Sequence, residues 1–209
     1  MRIFILMIFI HVTMDTNGQK LPTYKSKVSL VDKIDHEKDR DFGVGDDGIN
    51  RISEPTVNTS SELYKGSMSL SAENISDYNL NTPWVSSNQK KAISEFIVFT
   101  YDFLNYSNKG KAISINSLFL INGYRNNINQ WKNYSRVKKL KMFINDQPIA
   151  YFLLQDTYKF QSFDFPDYWF NYGDIWKIRL EIIEIYSGDK YRNIAISEIQ
   201  FEGKYSENQ

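Results

Sequence analysis

A chain of 209 residues that is 42% hydrophobic and 24% charged has the composition of one globular domain, or of two small ones. Its 25 basic and 25 acidic residues cancel, so no global field is available to hold nucleic acid or an anionic membrane surface. The absence of cysteine excludes thiol nucleophiles, disulfides, lipid-modified cysteine anchors and cysteine-bound zinc; the two histidines, His11 and His36, both precede the part that reads as folded.

Arg2 is followed by an unbroken apolar run from Ile3 to Ile10, and then by the polar, turn-forming residues Thr13, Asp15, Thr16, Asn17, Gly18 and Gln19. A short positive head, a brief apolar core and a polar exit read as a secretory signal peptide over residues 1–19. The core is far shorter than the roughly 20 residues a membrane span needs. The expected destination is therefore secreted or periplasmic, in a bacterium, with no lipoprotein cysteine and no stable membrane span after cleavage. Residues 20–62 read as a flexible linker. Their apolar residues are isolated and bury too little to offset the entropy of ordering. The stretch Asp41-Phe42-Gly43-Val44-Gly45-Asp46-Asp47-Gly48 is turn chemistry. No helix start follows it, as a phosphate cradle would need, and no closing glutamate, as a calcium loop would need.

From Leu63 onward, short apolar runs are separated by Asn, Gly and Asp. Strands are predicted at 95–103, 112–121, 137–145, 149–154, 175–186 and 194–201. Ile178, Leu180 and Ile182 alternate with Lys177, Arg179 and Glu181, the period of a half-buried strand. The phase slips at Ile182-Ile183, which predicts a β-bulge. The only helical signal is a short turn near Glu73–Asp77. The expected fold is all-β, an antiparallel sandwich or jelly roll over residues 63–203, with a tail at 204–209.

Trp84 and Trp176 are expected in the core. Trp131 sits in the polar stretch 126–134, between strands. A large ring on such a loop can stack on the C–H face of a sugar, with Tyr124, Arg125, Tyr134 and Arg136 as its neighbours. A second aromatic loop, Phe163–Tyr172 with Trp169, is expected to form the other wall. The alternative for both loops is an aromatic lid over one end of the sandwich. Catalysis finds no constellation: no carboxylates paired at a set separation, no serine with a histidine in the fold, and no G-x-S-x-G. Lys138, Lys139 and Lys141 read as the solvent face of one strand, not as a nucleic-acid site.

Asp77-Tyr78-Asn79-Leu80-Asn81-Thr82-Pro83-Trp84 reads D-x-N-x-x-T-x-W, and much further along comes Ala195-Ile196-Ser197-Glu198-Ile199-Gln200-Phe201. This pair resembles the discoidin family, also called coagulation factor V/VIII C-type or galactose-binding-like domains. Asn122-Gly123-Tyr124, Trp131, Arg136-Val137-Lys138, Asp156, Tyr186-Ser187-Gly188 and Lys190-Tyr191 are similar to its bacterial subgroup of NADase-type glycan-binding domains. The resemblance covers residues 63–203 and implies glycan binding without NAD hydrolysis. It also implies one structural calcium ion, held by Asp77, Asn79, Thr82 and Glu198, since calcium favours carboxylate and carbonyl oxygens. The alternative is that Asp77 and Thr82 only cap turns and Glu198 meets a cation. Tyr78 departs from the family, which usually has glycine there. The expected function is an exported, lectin-like module binding a glycan or glycoconjugate. A surface-protein adhesion module of the same fold is the alternative, because the fold hosts both.

Overall fold

Period-two alternation dictates most of the architecture. The computed structural model describes residues 11–14, 20–28, 50–51, 55–65, 68–87, 94–103, 112–170 and 173–205. In chain order the strands are β1 (His11–Met14), β2 (Lys20–Lys25), β3 (Lys27–Val28), β4 (Asn50–Arg51), β5 (Thr56–Thr59), β6 (Leu63–Lys65), β7 (Met68–Leu70) and β8 (Trp84–Val85). They continue with β9 (Phe96–Asp102), β10 (Ile113–Asn122), β11 (Arg136–Ile144), β12 (Gln147–Leu153), β13 (Gln161–Phe170), β14 (Ile175–Tyr186) and β15 (Ala195–Tyr205). A 3-10 turn, Ala72–Ser76, and one helix, α1 (Ile128–Asn133), complete the described elements.

Two sheets pack face to face as the expected jelly-roll sandwich. One runs β1-β2-β12-β11-β14-β9-β5, and the other β3-β13-β10-β15-β4, with β8 also on β15. Every pair within these two sheets is antiparallel except β2 with β12. Ile178, Leu180 and Ile182 of β14 point into the core, which they share with Leu118, Phe163 and Phe201 of the facing sheet. The expected bulge is present: Leu140 pairs with Ile182 and Lys139 with Glu184, so Ile183 is the extra residue. Trp84 is fully buried as expected, and its indole N–H donates to the Ser61 carbonyl at 2.9 Å. Trp176 is half-buried and packs on Phe170. At Gly203, a Cβ would lie 1.6 Å from the Ser114 carbonyl oxygen, so the close approach of β15 to β10 demands glycine.

Three expectations are corrected. The linker expected over 20–62 contributes strands to both sheets. β2 pairs with β12 through Tyr151–Thr23, Phe152–Tyr24 and Leu153–Lys25. Leu21 is buried, and the Tyr24 ring stacks on Phe152 at 5.6 Å and meets Phe165 at 6.2 Å. The segment escapes sequence analysis because its alternation lasts only one short strand. The aromatic loop expected at Phe163–Tyr172 is instead β13 through Phe170, with Phe163, Phe165 and Phe170 turned into the core. The last strand is longer than expected and takes in Lys204 and Tyr205 of the presumed tail. The apolar run of the expected signal peptide, and the Gly/Asp octet, lie outside the described residues; His11–Met14 pairs with β2. Among the described residues no helix is long and apolar enough to cross a membrane.

If β2 is a core-bearing strand, Tyr24→Ala lowers the unfolding free energy by about 2 kcal/mol, less than a fully buried aromatic would because Tyr24 is only half-buried. Lys20→Ala, on the exposed start of the same strand, stays within about 0.5 kcal/mol. Denaturant titrations of the two variants check this; equal midpoints would return residues 20–25 to a linker.

Candidate functional site

β10 ends at Asn122, β11 begins at Arg136, β14 ends at Tyr186 and β15 begins at Ala195. The connections 123–135, 154–160 and 187–194 therefore gather at one end of the sandwich. Asn122 splints two of these strands: its amide donates to the Val137 carbonyl at 2.7 Å, and its side-chain oxygen accepts from the Val137 N–H at 2.9 Å. Asn127 caps α1 by accepting from the Gln130 N–H, the preferred role of asparagine at a helix start.

Arg136 organises this end. Its guanidinium grips Asp156 through two parallel bonds, Nε–Oδ1 at 2.7 Å and Nη2–Oδ2 at 3.0 Å. Nη1 donates to the carbonyls of Trp131 and Tyr134, which leave the end of α1. The guanidinium carbon stands 4.2 Å from the centre of the Trp131 ring. Trp131 is only 9% exposed: Tyr158 meets it edge-on, and its N–H donates to the Asn122 carbonyl at 2.9 Å. Gly123, at φ +88°, makes this possible, since a Cβ there would lie 2.6 Å from the indole.

The expected sugar platform is thus corrected. Trp131 is an interior ring, because the stretch read as a loop is a helical turn that folds the indole inward. Arg136 is a buried staple, 6% exposed, with its guanidinium bonded to Asp156 and to the end of α1. Arg125 is 8% exposed, with its guanidinium over the rings of Tyr158 and Phe160. Tyr124 and Tyr134 are also buried, but they lead outward. Tyr124 lies 5.3 Å from Tyr134, and Tyr134 lies 4.7 Å from Tyr191, which is half-buried. Burial raises the phenol pKa of both Tyr124 and Tyr134, so these hydroxyls remain neutral donors.

The loop carrying Tyr191 is rigid. The N–H groups of Asp189, Lys190 and Tyr191 donate to the carbonyls of Lys132 and Asn133, and Ser135 Oγ donates to the Tyr191 carbonyl. Gly188 touches this backbone so closely that a Cβ would lie 2.4 Å from the Asn133 oxygen. The Lys190 ammonium lies 5.2 Å from the centre of the Tyr191 ring, and Arg192 donates to Ser187 Oγ. Leu63 and Leu70 of the β6–β7 hairpin pack against the tyrosines from the side. Sequence analysis did not assign Lys190, Tyr191 and Arg192 to the site. Their signal was Gly188 beside an aromatic–cation pair, a glycine placed where two backbones meet.

The Asp77 turn closes on itself. The carboxylate of Asp77 accepts from the Asn79 N–H at 2.8 Å and from Thr82 Oγ1 at 2.6 Å, and the Asn79 side chain accepts from the Asn81 N–H. Tyr78 takes φ +60°, the left-handed conformation in which glycine would be unstrained. Its hydroxyl donates to Gln200 Oε1, and the Gln200 amide donates to Glu198 Oε1. The turn and Glu198 therefore meet at one edge of β15, joined through Tyr78 and Gln200. A cleft of about 430 Å³ opens beside the turn, between Thr56 and Asp77. Among the described residues no three His, Asp or Glu side chains gather as a metal site.

Trp169 does not join the others. It pairs across β10 with Ser114, eight residues from Asn122, so roughly 25 Å of strand separates it from the Trp131 end.

Residues 51–202 match the family model described as the NAD glycohydrolase translocation F5/8 type C domain. No curated protein sequence matches the chain. Among solved structures, the CBM32-1 and CBM32-2 domains of Clostridium perfringens ZmpB superpose with a TM-score of 0.55 at 10% identity, over 90% of this chain and 43% of that one. The same pair in complex with GalNAc gives 0.55 at 10% identity, over 90% and 41%. A longer piece of ZmpB, which includes its M60 catalytic domain, gives 0.51 at 16% identity, over 88% and 17%. At these identities the likeness is one of fold, and the chain spans less than half the length of each of these structures. With most of its length matched, the chain belongs to the family of NAD glycohydrolase translocation F5/8 type C domains.

Proposed function

We propose that this chain is a non-catalytic carbohydrate-binding module that takes its glycan at the loop end, on the outermost ring of the Tyr124–Tyr134–Tyr191 series. One observation carries the reading: a half-buried tyrosine held in a clamped loop, with Lys190 and Arg192 on either side. A ring fixed in this way loses little entropy when a sugar stacks on it, and flanking cations can donate to hydroxyls. The likeness of fold to carbohydrate-binding domains, one pair of which was solved with GalNAc, supports it. Export by residues 1–19 belongs to the same reading. The protein-adhesion alternative needs a wider footprint and gains nothing from a free sugar.

A glycan array with the full chain tests it. Binding is expected, competed by the matching free monosaccharide, and reduced at least about tenfold in Tyr191→Ala, which corresponds to about 1.4 kcal/mol. Binding that ignores both the substitution and the competitor would move the function to adhesion.

Calcium is a separable part of the proposal, with Asp77, Asn79, Thr82 and Glu198 as its oxygen donors. An ion that binds only the folded chain raises stability by mass action. Millimolar calcium is expected to raise the thermal midpoint by about 5 °C, with reversal by chelator and no effect in Asp77→Ala. Equal midpoints with calcium and with chelator would leave a turn closed by its own hydrogen bonds and remove the ion from the proposal, without touching the glycan site.

A further inference from the structure

The outer face of the smaller sheet carries a second constellation, far from the tyrosines. Trp169 is 46% exposed on β13. It pairs with Ser114 of β10, and Ser114 pairs in turn with Lys204 of β15, so the three form one row across three strands. Between the two large side chains lies only a buried serine. One step along β13, Asp167 sits at the centre of a built polar network. Its Oδ2 pairs with the Lys204 ammonium at 2.7 Å, and its Oδ1 accepts from Ser114 Oγ at 3.1 Å and from the Asn116 amide at 3.0 Å. Asn116 reaches it because the register shifts between Ile115 and Ser117, which removes Asn116 from the regular ladder. The Lys204 ammonium also lies 5.7 Å from the centre of the Trp169 ring.

A tryptophan left half in water forgoes about 2 kcal/mol of burial, and a single exposed ring is common enough that it is the fixed polar network beside this one that sets the place apart. Here a flat apolar ring stands beside a carboxylate, an amide and an ammonium, all fixed by one another. That combination matches a pyranose, which offers a flat C–H face and a rim of hydroxyls that both donate and accept. The hydrogen bond from Lys204, followed by those from Ser114 and Asn116, holds the Asp167 carboxyl below its ordinary range, so it remains an acceptor at neutral pH. The Asp167–Lys204 pair has no net charge, so a carboxylated sugar gains no attraction there.

We propose that Trp169, Asp167, Asn116 and Lys204 form a second glycan site, on the sheet face, for a neutral pyranose. It shares only its ligand class with the loop-end proposal and stands on different residues. Two sites roughly 25 Å apart on one rigid sandwich would let a polymer or a glycan-coated surface engage both, so that weak contacts add as avidity.

The test is a sugar titration of the full ¹⁵N-labelled chain by two-dimensional NMR. The probes are methyl galactoside, N-acetylgalactosamine and galacturonic acid. The chain has four tryptophans, and the Trp169 indole resonance is assigned by its loss in Trp169→Phe. The Gly188 amide reports on the loop end. The expected result is a saturable shift of the Trp169 indole with a neutral sugar at millimolar concentration, retained in Tyr191→Ala, weakened at least fivefold in Asp167→Ala, and no stronger with galacturonic acid. A Trp169 indole unmoved up to about 50 mM, well above a millimolar Kd, overturns the sheet-face site. So does a shift that vanishes in Tyr191→Ala. A shift of Gly188 alone keeps the loop-end site and removes this one; a shift of Trp169 alone does the reverse.

Discussion

The loop end of the sandwich is arranged around the buried charge of Arg136. The Arg136 guanidinium is taken almost wholly out of water, and a charge so placed must find its full set of partners. It finds a carboxylate across two bonds, the carbonyls that α1 leaves open, and the face of an indole. Each partner lies on a different piece of chain, so satisfying the charge fixes the path of all of them. Asp156 is itself partly solvated, which lowers the cost of desolvating the pair. The consequences spread outward. Trp131 is pinned, Gly123 must stay small beneath it, and α1 presents two carbonyls to which the 188–191 loop binds. Tyr191 is where it is because Arg136 is satisfied.

This explains how much of the site was legible in the sequence. The long strands were visible because a half-buried strand writes its alternation over many residues, as β14 does, and even the bulge at Ile183 showed as a slip of phase. The residue types of the site were also visible. Their orientation was not. An arginine beside a tryptophan on a polar stretch reads equally as a stacking platform with a donor and as a buried cation–π pair. What decides between them is a carboxylate 20 residues further on, Asp156, which sequence alone does not bring near. Lys20–Lys25 failed for a different reason. Its single strand owes its place to the edge that β12 offers, a tertiary fact rather than a local one.

The two aromatic constellations show the same contrast between rings closed inside the fold and rings left partly in water. Rings whose polar atoms and faces are satisfied inside, such as Trp84 and Trp131, hold the fold together. Tyr191 and Trp169 keep part of their surface in water, and each has cations beside it. In both places the neighbouring polar groups are held by the fold itself, by backbone bonds around Tyr191 and by the Asp167 network beside Trp169. Preorganisation of this kind matters most for ligands that offer little apolar area, because little gain is then available to order a loop.

The Asp77 turn separates motif from function in the same way. Its residue pattern carried part of the family resemblance, yet the side chains of Asp77, Asn79 and Thr82 are first of all employed in closing the turn. Tyr78 takes a left-handed backbone at a cost of about 1 kcal/mol. A glycine would avoid that cost, but it could not reach Gln200. The phenol's hydrogen bond to Gln200, and through it the link to Glu198, ties the turn to the last strand. A side chain that bridges the turn to β15 performs the cross-linking that an ion could also perform. The strained tyrosine therefore makes the turn's attachment to β15 less dependent on whether an ion is bound.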